Sequence, residues 1–275
     1  LFATTLVIVV VILVSMIRWI ERLTKIGRVA ETTRQVEEAA RESLGKRAAS
    51  PWFGCNKLDE ENLSGLEGIF GDIYGYVQYV DFEKISEVAD RNECEIHVAA
   101  TPGKFVYPNQ AYLHANVRLS EEDMQALLSA FKIADERTFE QDPRFGICVL
   151  AEIAERALSP ALHDPGTAID VLGRLVSVLA VYAGAKNEEV KCKRVWAPPL
   201  RVHDLFEDAF NSISRDGAGL FEVQARLQKC FACLAMLDDR EYAENAAAFS
   251  SFAVVRSERS DMLEHARAEV RQRAD

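Results

Sequence analysis

LFATTLVIVVVILVSMI, Leu1 to Ile17, contains no charged residue, and everything after it reads as a charged, water-compatible chain. As a helix at ~1.5 Å per residue the stretch spans about 26 Å, slightly less than the ~30 Å hydrocarbon core of a bilayer. The run starts at the first residue, which is not Met, and is expected to be the C-terminal end of a transmembrane helix whose beginning is missing. A secretory signal peptide would place positive charge before the apolar run and small residues after it. Here bulky Trp19 and Ile20 occupy the exit, and Arg18, Arg22, Lys25 and Arg28 follow with only Glu21 opposing them. Such a cationic flank marks the cytoplasmic side, and Trp19 suits the headgroup belt.

The remaining composition fits that split. The 275 residues carry a formal charge of −11, with 49% hydrophobic and 27% charged residues, enough apolar content to build a core and so to exclude a disordered chain. The acidic balance argues against a nucleic-acid partner, which needs a basic surface. Cys55, Cys94, Cys148, Cys192, Cys230 and Cys233 show no disulfide-like spacing, as expected in a reducing compartment. Cys230 and Cys233 form a CxxC inside the apolar helical stretch KCFACLAML, without a second pair or a neighbouring His, so burial explains them better than zinc or redox chemistry.

Working outward, the pattern predicts a mainly α protein with a small β module. Residues 1–20 are the truncated transmembrane helix and 21–48 a stalk helix. Ile26, Val29, Thr33, Val36, Ala40 and Leu44 form a narrow apolar stripe on the stalk that either meets its copy in a homo-oligomer or rests on the domain below. Residues 49–118 are a small, β-barrel-like α+β module. Ala49 to Gly68 reads as loop and Tyr74 to Val80 as a strand; Asp81 caps a short helix, and Cys94 to Ala100, Phe105-Val106 and Tyr112 to Val117 are further strands. Residues 119–275 are a helical bundle. It is opened by the capping sequence Ser120-Glu121-Glu122-Asp123, and Met124, Leu127, Leu128, Phe131 and Ile133 mark its first helix. Lys186 to Leu200 is read as a polar excursion between helices. The apolar TAIDVLGRLVSVLAVYAGA, from Thr167, carries Asp170 and Arg174 at i and i+4, which favours a central bundle helix over a membrane span.

Two stretches carry a family resemblance: ERTFEQDPRFG, Glu136 to Gly146, and RALSPALHDPGTA, Arg156 to Ala168. With Gly75 to Asp81, the turn Pro102-Gly103-Lys104-Phe105-Val106 and Asp204 to Phe210, they resemble a bacterial membrane protein family known as domain of unknown function 2254. The resemblance covers about residues 66 to 215. It implies a multi-pass protein of the bacterial inner membrane with a cytoplasmic region after its last span, and it implies no reaction and no cofactor. His163 stands where the family more often has Asn. The β module is also similar to a lipoyl or biotinyl barrel, but the carrier-lysine motif is absent, so no swinging-arm role follows.

Arg137, Glu140, Asp142, Arg144, Ser159, His163, Asp164, Thr167, Asp170 and Arg174 form the most suggestive polar set. Within it Arg137, Asp142, Arg144, His163, Asp164 and Thr167 are the candidate ligand-binding residues, expected in one pocket between the first bundle helices. The competing reading is structural: Asp142-Pro143, Ser159-Pro160 and Asp164-Pro165 each pair a capping side chain with proline at the first helical position. His97 and His114 on paired strands, with Glu95 nearby, have the makings of a metal site, although exposed His and Glu on strands are common and no metal is assigned. No P-loop, G-x-G-x-x-G or nucleophile elbow occurs, so no catalytic residue is named. Two readings stay open: a non-enzymatic assembly or regulatory domain of an oligomeric, transport- or channel-like membrane protein, and a membrane-anchored enzyme or sensor binding a small anion through Arg137 and Arg144.

Overall fold

The computed structural model describes residues 2–25, 29–58, 65–184 and 189–274. The first helix, α1 (Phe2–Lys25), is 24 residues long, with side chains described at positions 4, 5, 8 and 10–19. Ile26 of the apolar stripe and Arg28, and the side chains of Arg22, Lys25 and Val29, lie outside what is described. Ile8, Val10 to Val14, Met16, Ile17 and Trp19 are all between 46% and 62% exposed, so no face of this stretch is covered. Among the described residues no helix is long and apolar enough to cross a membrane.

The second helix, α2 (Val29–Ala49), places Glu31 in its first turn and Lys46 and Arg47 in its last, complementing the helix dipole. Next come β1 (Cys55–Lys57), β2 (Glu67–Phe70), β3 (Gly75–Val80), α3 (Phe82–Arg91), β4 (Ile96–Val98), β5 (Phe105–Val106), β6 (Ala111–Ala115), α4 (Glu121–Leu128) and β7 (Phe131–Ala134). The rest comprises α5 (Pro143–Leu158), α6 (Pro165–Leu179), β8 (Cys192–Ala197), α7 (Val202–Asp216), α8 (Phe221–Ala235), α9 (Arg240–Glu258) and α10 (Glu264–Ala274). The local signals are used as expected at α3, where the Asp81 carboxylate accepts from the Lys84 N–H, and at α4, where Ser120 accepts from the Asp123 N–H.

The strands form two sheets where the sequence suggests one barrel-like module. The larger runs β1-β8-β4-β6-β2 and the smaller β5-β3-β7. Three expectations are corrected. The loop read over Ala49 to Gly68 holds β1 and the start of β2. Phe131 and Ile133, assigned to a helix stripe, sit in β7 and pair with Val80 and Val77 of β3; α4 ends at Leu128, and tertiary pairing overrides a local helical spacing. The polar excursion hides β8, which returns from the bundle to lie in parallel between β1 and β4. Lys193 and Arg194 in its middle masked the buried Cys192, Val195 and Ala197.

Two hydrophobic clusters result. Ile85, Ile96, Leu113, Leu127 and Val195 belong to the one under the larger sheet. Leu150, Leu172, Phe206, Phe210 and Tyr242 belong to the bundle, together with Ala40 and Leu44 of α2. Each buried Val, Leu, Ile or Phe among them contributes about 1.5–3 kcal/mol by leaving water. Of the two alternatives for the α2 stripe, the structure shows contact with the domain: Thr33, Ala40 and Leu44 are buried, and α2 packs on α5 and α6. The contact is sealed by charge. Arg174 bridges Asp170 (2.7 Å) on its own helix and Glu37 (2.6 Å) on α2, while Arg41 donates to Ser177 Oγ and O, each at 2.8 Å.

Candidate functional site

Asp142 lies at the N-cap of α5, followed by Pro143, whose missing N–H is no loss there. Its Oδ1 accepts from the Arg144 and Phe145 N–H groups at 3.1 and 3.2 Å. Arg137 grips both oxygens, Nε to Oδ2 at 2.6 Å and Nη2 to Oδ1 at 3.0 Å. Burial opposes the Arg137 charge, but the hydrogen bond and attraction of Asp142 outweigh it and hold the guanidinium protonated, with its pKa raised. Asp142 is 2% exposed, so cap and ion pair together satisfy an otherwise costly buried carboxylate. Gly103, at φ +88°, presses its backbone against this carboxylate; a Cβ there would lie 2.5 Å from Asp142 Cγ. The Pro-Gly-Lys turn of the β module is thus seated on the N-terminus of a bundle helix.

Two residues further on, Arg144 binds Asp208 bidentately (Nε–Oδ2 2.6 Å, Nη2–Oδ1 2.9 Å) and reaches Asp204 at 3.0 Å. The hydrogen bond to Asp208 raises the Arg144 pKa against the opposing effect of burial. Asp204 and Asp208 stand at i and i+4 on α7, so one guanidinium ties α5 to α7. Arg137, Asp142 and Arg144 line a cleft of about 440 Å³ with Lys104 from the β module, Arg47 from α2, and Arg201, Asp204 and Asp208 from α7 and the residue before it. Arg47, Lys104 and Arg201 escaped the sequence reading because they come from three separate segments. The only signal for Asp204 and Asp208 was their i,i+4 spacing within Asp204 to Phe210.

His163, Asp164 and Thr167 are not part of this cleft. They sit at the opposite end of α5, whose 16 residues correspond to about 24 Å. Asp164 caps α6, accepting from the Thr167 N–H (3.1 Å) and hydroxyl (2.6 Å). These hydrogen bonds, led by that of the Thr167 hydroxyl, lower the Asp164 pKa. Asp164 and Thr167 line a separate hollow with Thr32, Ile153 and Leu162. The single pocket expected from sequence is therefore two places. Ser159 also departs from its expected role: it lies at the C-cap of α5 and donates its hydroxyl to the Arg156 carbonyl at 2.7 Å. His163 has φ +46°, a left-handed conformation that Asn tolerates better than most residues, which gives a backbone reason for Asn at this position.

His97 and His114 are directly opposite on β4 and β6. His97 stacks on Trp196 at 5.1 Å, and Glu95 Oε2 is 4.0 Å from its Nε2. Neither His97 ring nitrogen has a hydrogen-bond partner among the described residues. No group of three or more His, Cys, Asp or Glu among them could hold a metal ion. Burial lowers the pKa of both imidazoles; His114 adds to the effect at His97 against Glu95, and Lys104 adds to it at His114. Both groups titrate near ~6.5 when unfolded, so on acidification the unfolded chain takes up protons first. Stability present above about pH 6.5 is lost below it. Urea unfolding is expected to show a lower midpoint at about pH 5.5 than at about pH 7.5, with a shallower difference in His97→Phe, which keeps the stack on Trp196. Identical pH slopes in the two proteins would remove His97 from this account. Cys230 is buried, its thiol pushed up to about 11 by burial, while Cys233 is exposed, so the CxxC forms no paired site.

The family described as predicted membrane protein (DUF2254) matches residues 1–233. Uncharacterized proteins of Mycobacterium bovis and Mycobacterium tuberculosis are each 36% identical over 136 residues, covering 45% of this chain and 26% of the relative. The match thus spans about a quarter of those relatives' length. No solved structure matches the chain.

Proposed function

The chain belongs to the family of predicted membrane proteins called domain of unknown function 2254, and we propose that residues beyond the first helix form the cytoplasmic domain of a multi-pass bacterial inner-membrane protein, with an assembly or regulatory role rather than a catalytic one. The observation that carries the membrane reading is α1. Its described apolar side chains are about half exposed all the way round, a surface far more stable in lipid or against other helices than in water. The cationic flank Arg18, Arg22, Lys25 and Arg28 supports a cytoplasmic exit. The non-catalytic reading is supported by Arg137 and Arg144, both held by carboxylates as structural joints between the β module, α5 and α7.

Two measurements on the full chain test this. A C-terminal fluorescent-protein fusion is expected to fluoresce in the membrane fraction after alkaline extraction, while a C-terminal alkaline phosphatase fusion stays inactive. Active phosphatase, or release by alkali, would remove the topology. Light scattering of the detergent-solubilised chain is expected to give the mass of an oligomer, and a strict monomer would sink the assembly role.

A further inference from the structure

The loop between α5 and α6, Ser159 to Asp164, closes the bundle at the end where α2 enters it. Helix α2 runs antiparallel to α5. Gly146, near the start of α5, faces Ala40, whereas Thr32 near the start of α2 shares a hollow of about 460 Å³ with Ile153, Arg156 and Ala157 near the end of α5 and with Leu162 of the loop. Val29, the first residue of α2, is four residues from Lys25, the last of α1. At ~3.5 Å per residue the covalent chain therefore holds the start of α2 within about 14 Å of the end of α1. Thr32 lies about 5 Å further along α2.

Pro160, Ala161 and Leu162 follow one another in this loop, and all three are exposed, Leu162 at 60%. A single exposed leucine is ordinary, but this one is held outward by its backbone. The Leu162 and His163 N–H groups donate to the Ser159 carbonyl at 3.1 and 2.9 Å, and the Asp164 N–H donates to the Ala157 carbonyl at 2.8 Å. His163 takes up its left-handed φ of +46° to close the turn, a conformation unfavourable for a residue with a Cβ. With the backbone fixed in this way, Leu162 has no route into the core. Beside it Arg156 is exposed and makes no ion pair or side-chain hydrogen bond among the described residues. The neighbouring carboxylate, Asp164, is engaged through both oxygens by Thr167.

We propose that this loop docks on the surface of the bilayer, with Leu162 at the boundary between headgroups and acyl chains and Arg156 among the lipid phosphates. An apolar side chain leaves water there, and an unpaired guanidinium meets anionic headgroups. The tether favours the bilayer over other apolar occupants, because the chain itself keeps this end of the bundle close to the helix read as membrane-spanning. The proposal rests on that reading of α1. It gives the domain a second hold on the membrane beside its covalent one.

The test is spin-label electron paramagnetic resonance on the full chain in liposomes of phosphatidylethanolamine and phosphatidylglycerol. A nitroxide is attached at Leu162→Cys in a background of Cys148→Ser and Cys233→Ser, the two cysteines that are not buried. Its collisions with oxygen, which partitions into lipid, are expected to outweigh those with a water-soluble nickel chelate, giving a ratio several-fold above that of a label at Met236→Cys. Met236 is 86% exposed and lies at the other end of α6, in the turn before Asp239, which accepts from the Gly184 N–H at 3.0 Å. Both positions are at the surface, so the labels should leave the fold intact. A label at Ile12→Cys, in α1, reports the membrane reading by itself. A lipid-like ratio at Ile12 with a Met236-like ratio at Leu162 overturns the docking and leaves the membrane reading standing, whereas a water-like ratio at Ile12 removes both. A Leu162 label shielded from oxygen and chelate alike means that protein, such as a second copy of the chain, covers the loop, and that also overturns the proposal.

Discussion

Asp142→Ala is expected to destabilise the domain by about 3–5 kcal/mol, the range for removing one partner of a buried ion pair. Three losses coincide. The first turn of α5 loses the oxygen that binds the Arg144 and Phe145 N–H groups, ordinarily worth about 1 kcal/mol. Arg137 keeps its charge in a place where Asp142 was the bidentate partner. The turn at Gly103 loses the surface on which it rests. Asp142→Asn separates these effects, because it keeps the cap but not the charge, and should fall between the parent and Asp142→Ala. Urea unfolding of the three proteins in detergent checks the order. A loss below about 1 kcal/mol for Asp142→Ala would mean that the pair contributes nothing beyond a cap. The seating of Gly103 adds a coupling: a Cβ at Gly103 meets the carboxylate at 2.5 Å, so Gly103→Ala should cost less in the Asp142→Ala background than in the parent.

That junction also shows what could be read from the sequence. The Asp142-Pro143 and Asp164-Pro165 pairs signal helix starts by local chemistry, and both carboxylates cap as such chemistry requires. The central helix α6 was legible from its apolar run and its Asp170–Arg174 pair. The contacts that assemble the cleft were not legible in this way. Lys104, Arg47 and Arg201 meet only because β8 returns to the sheet and α2 folds back on α5, and neither event has a local signature. β8 was missed for a related reason: Lys193 and Arg194 are polar, and pairing with β1 and β4, rather than alternation, makes the segment a strand. Conversely, grouping His163 with Asp142 failed because proximity in sequence was taken for proximity in space across a 16-residue helix.

Gly146→Val is expected to separate α2 from the bundle. A Cβ at Gly146 would lie 2.5 Å from Ala40 Cβ and 2.9 Å from Ala40 Cα, and a helix backbone cannot yield as a side-chain tip can. Glycine inside a helix costs about 1 kcal/mol relative to alanine, so its presence in α5 is explained by this close crossing rather than by helix formation. Valine adds two further carbons at the same point, and overpacking of this kind costs about 1–3 kcal/mol or more. Relief requires α2 to move outward, which stretches the Glu37–Arg174 pair and the Arg41 contacts to Ser177. The expected signature is faster trypsin cleavage at Arg34 and Arg41 with a lower unfolding midpoint. Gly173→Ala is the control on the neighbouring helix: its Cβ would meet Arg226 Nη2 at 2.6 Å, the end of a flexible side chain that can swing aside. There the helix-propensity gain of about 1 kcal/mol should offset the contact and leave stability near the parent. If Gly146→Val cleaves no faster than Gly173→Ala, α2 is not held by this crossing.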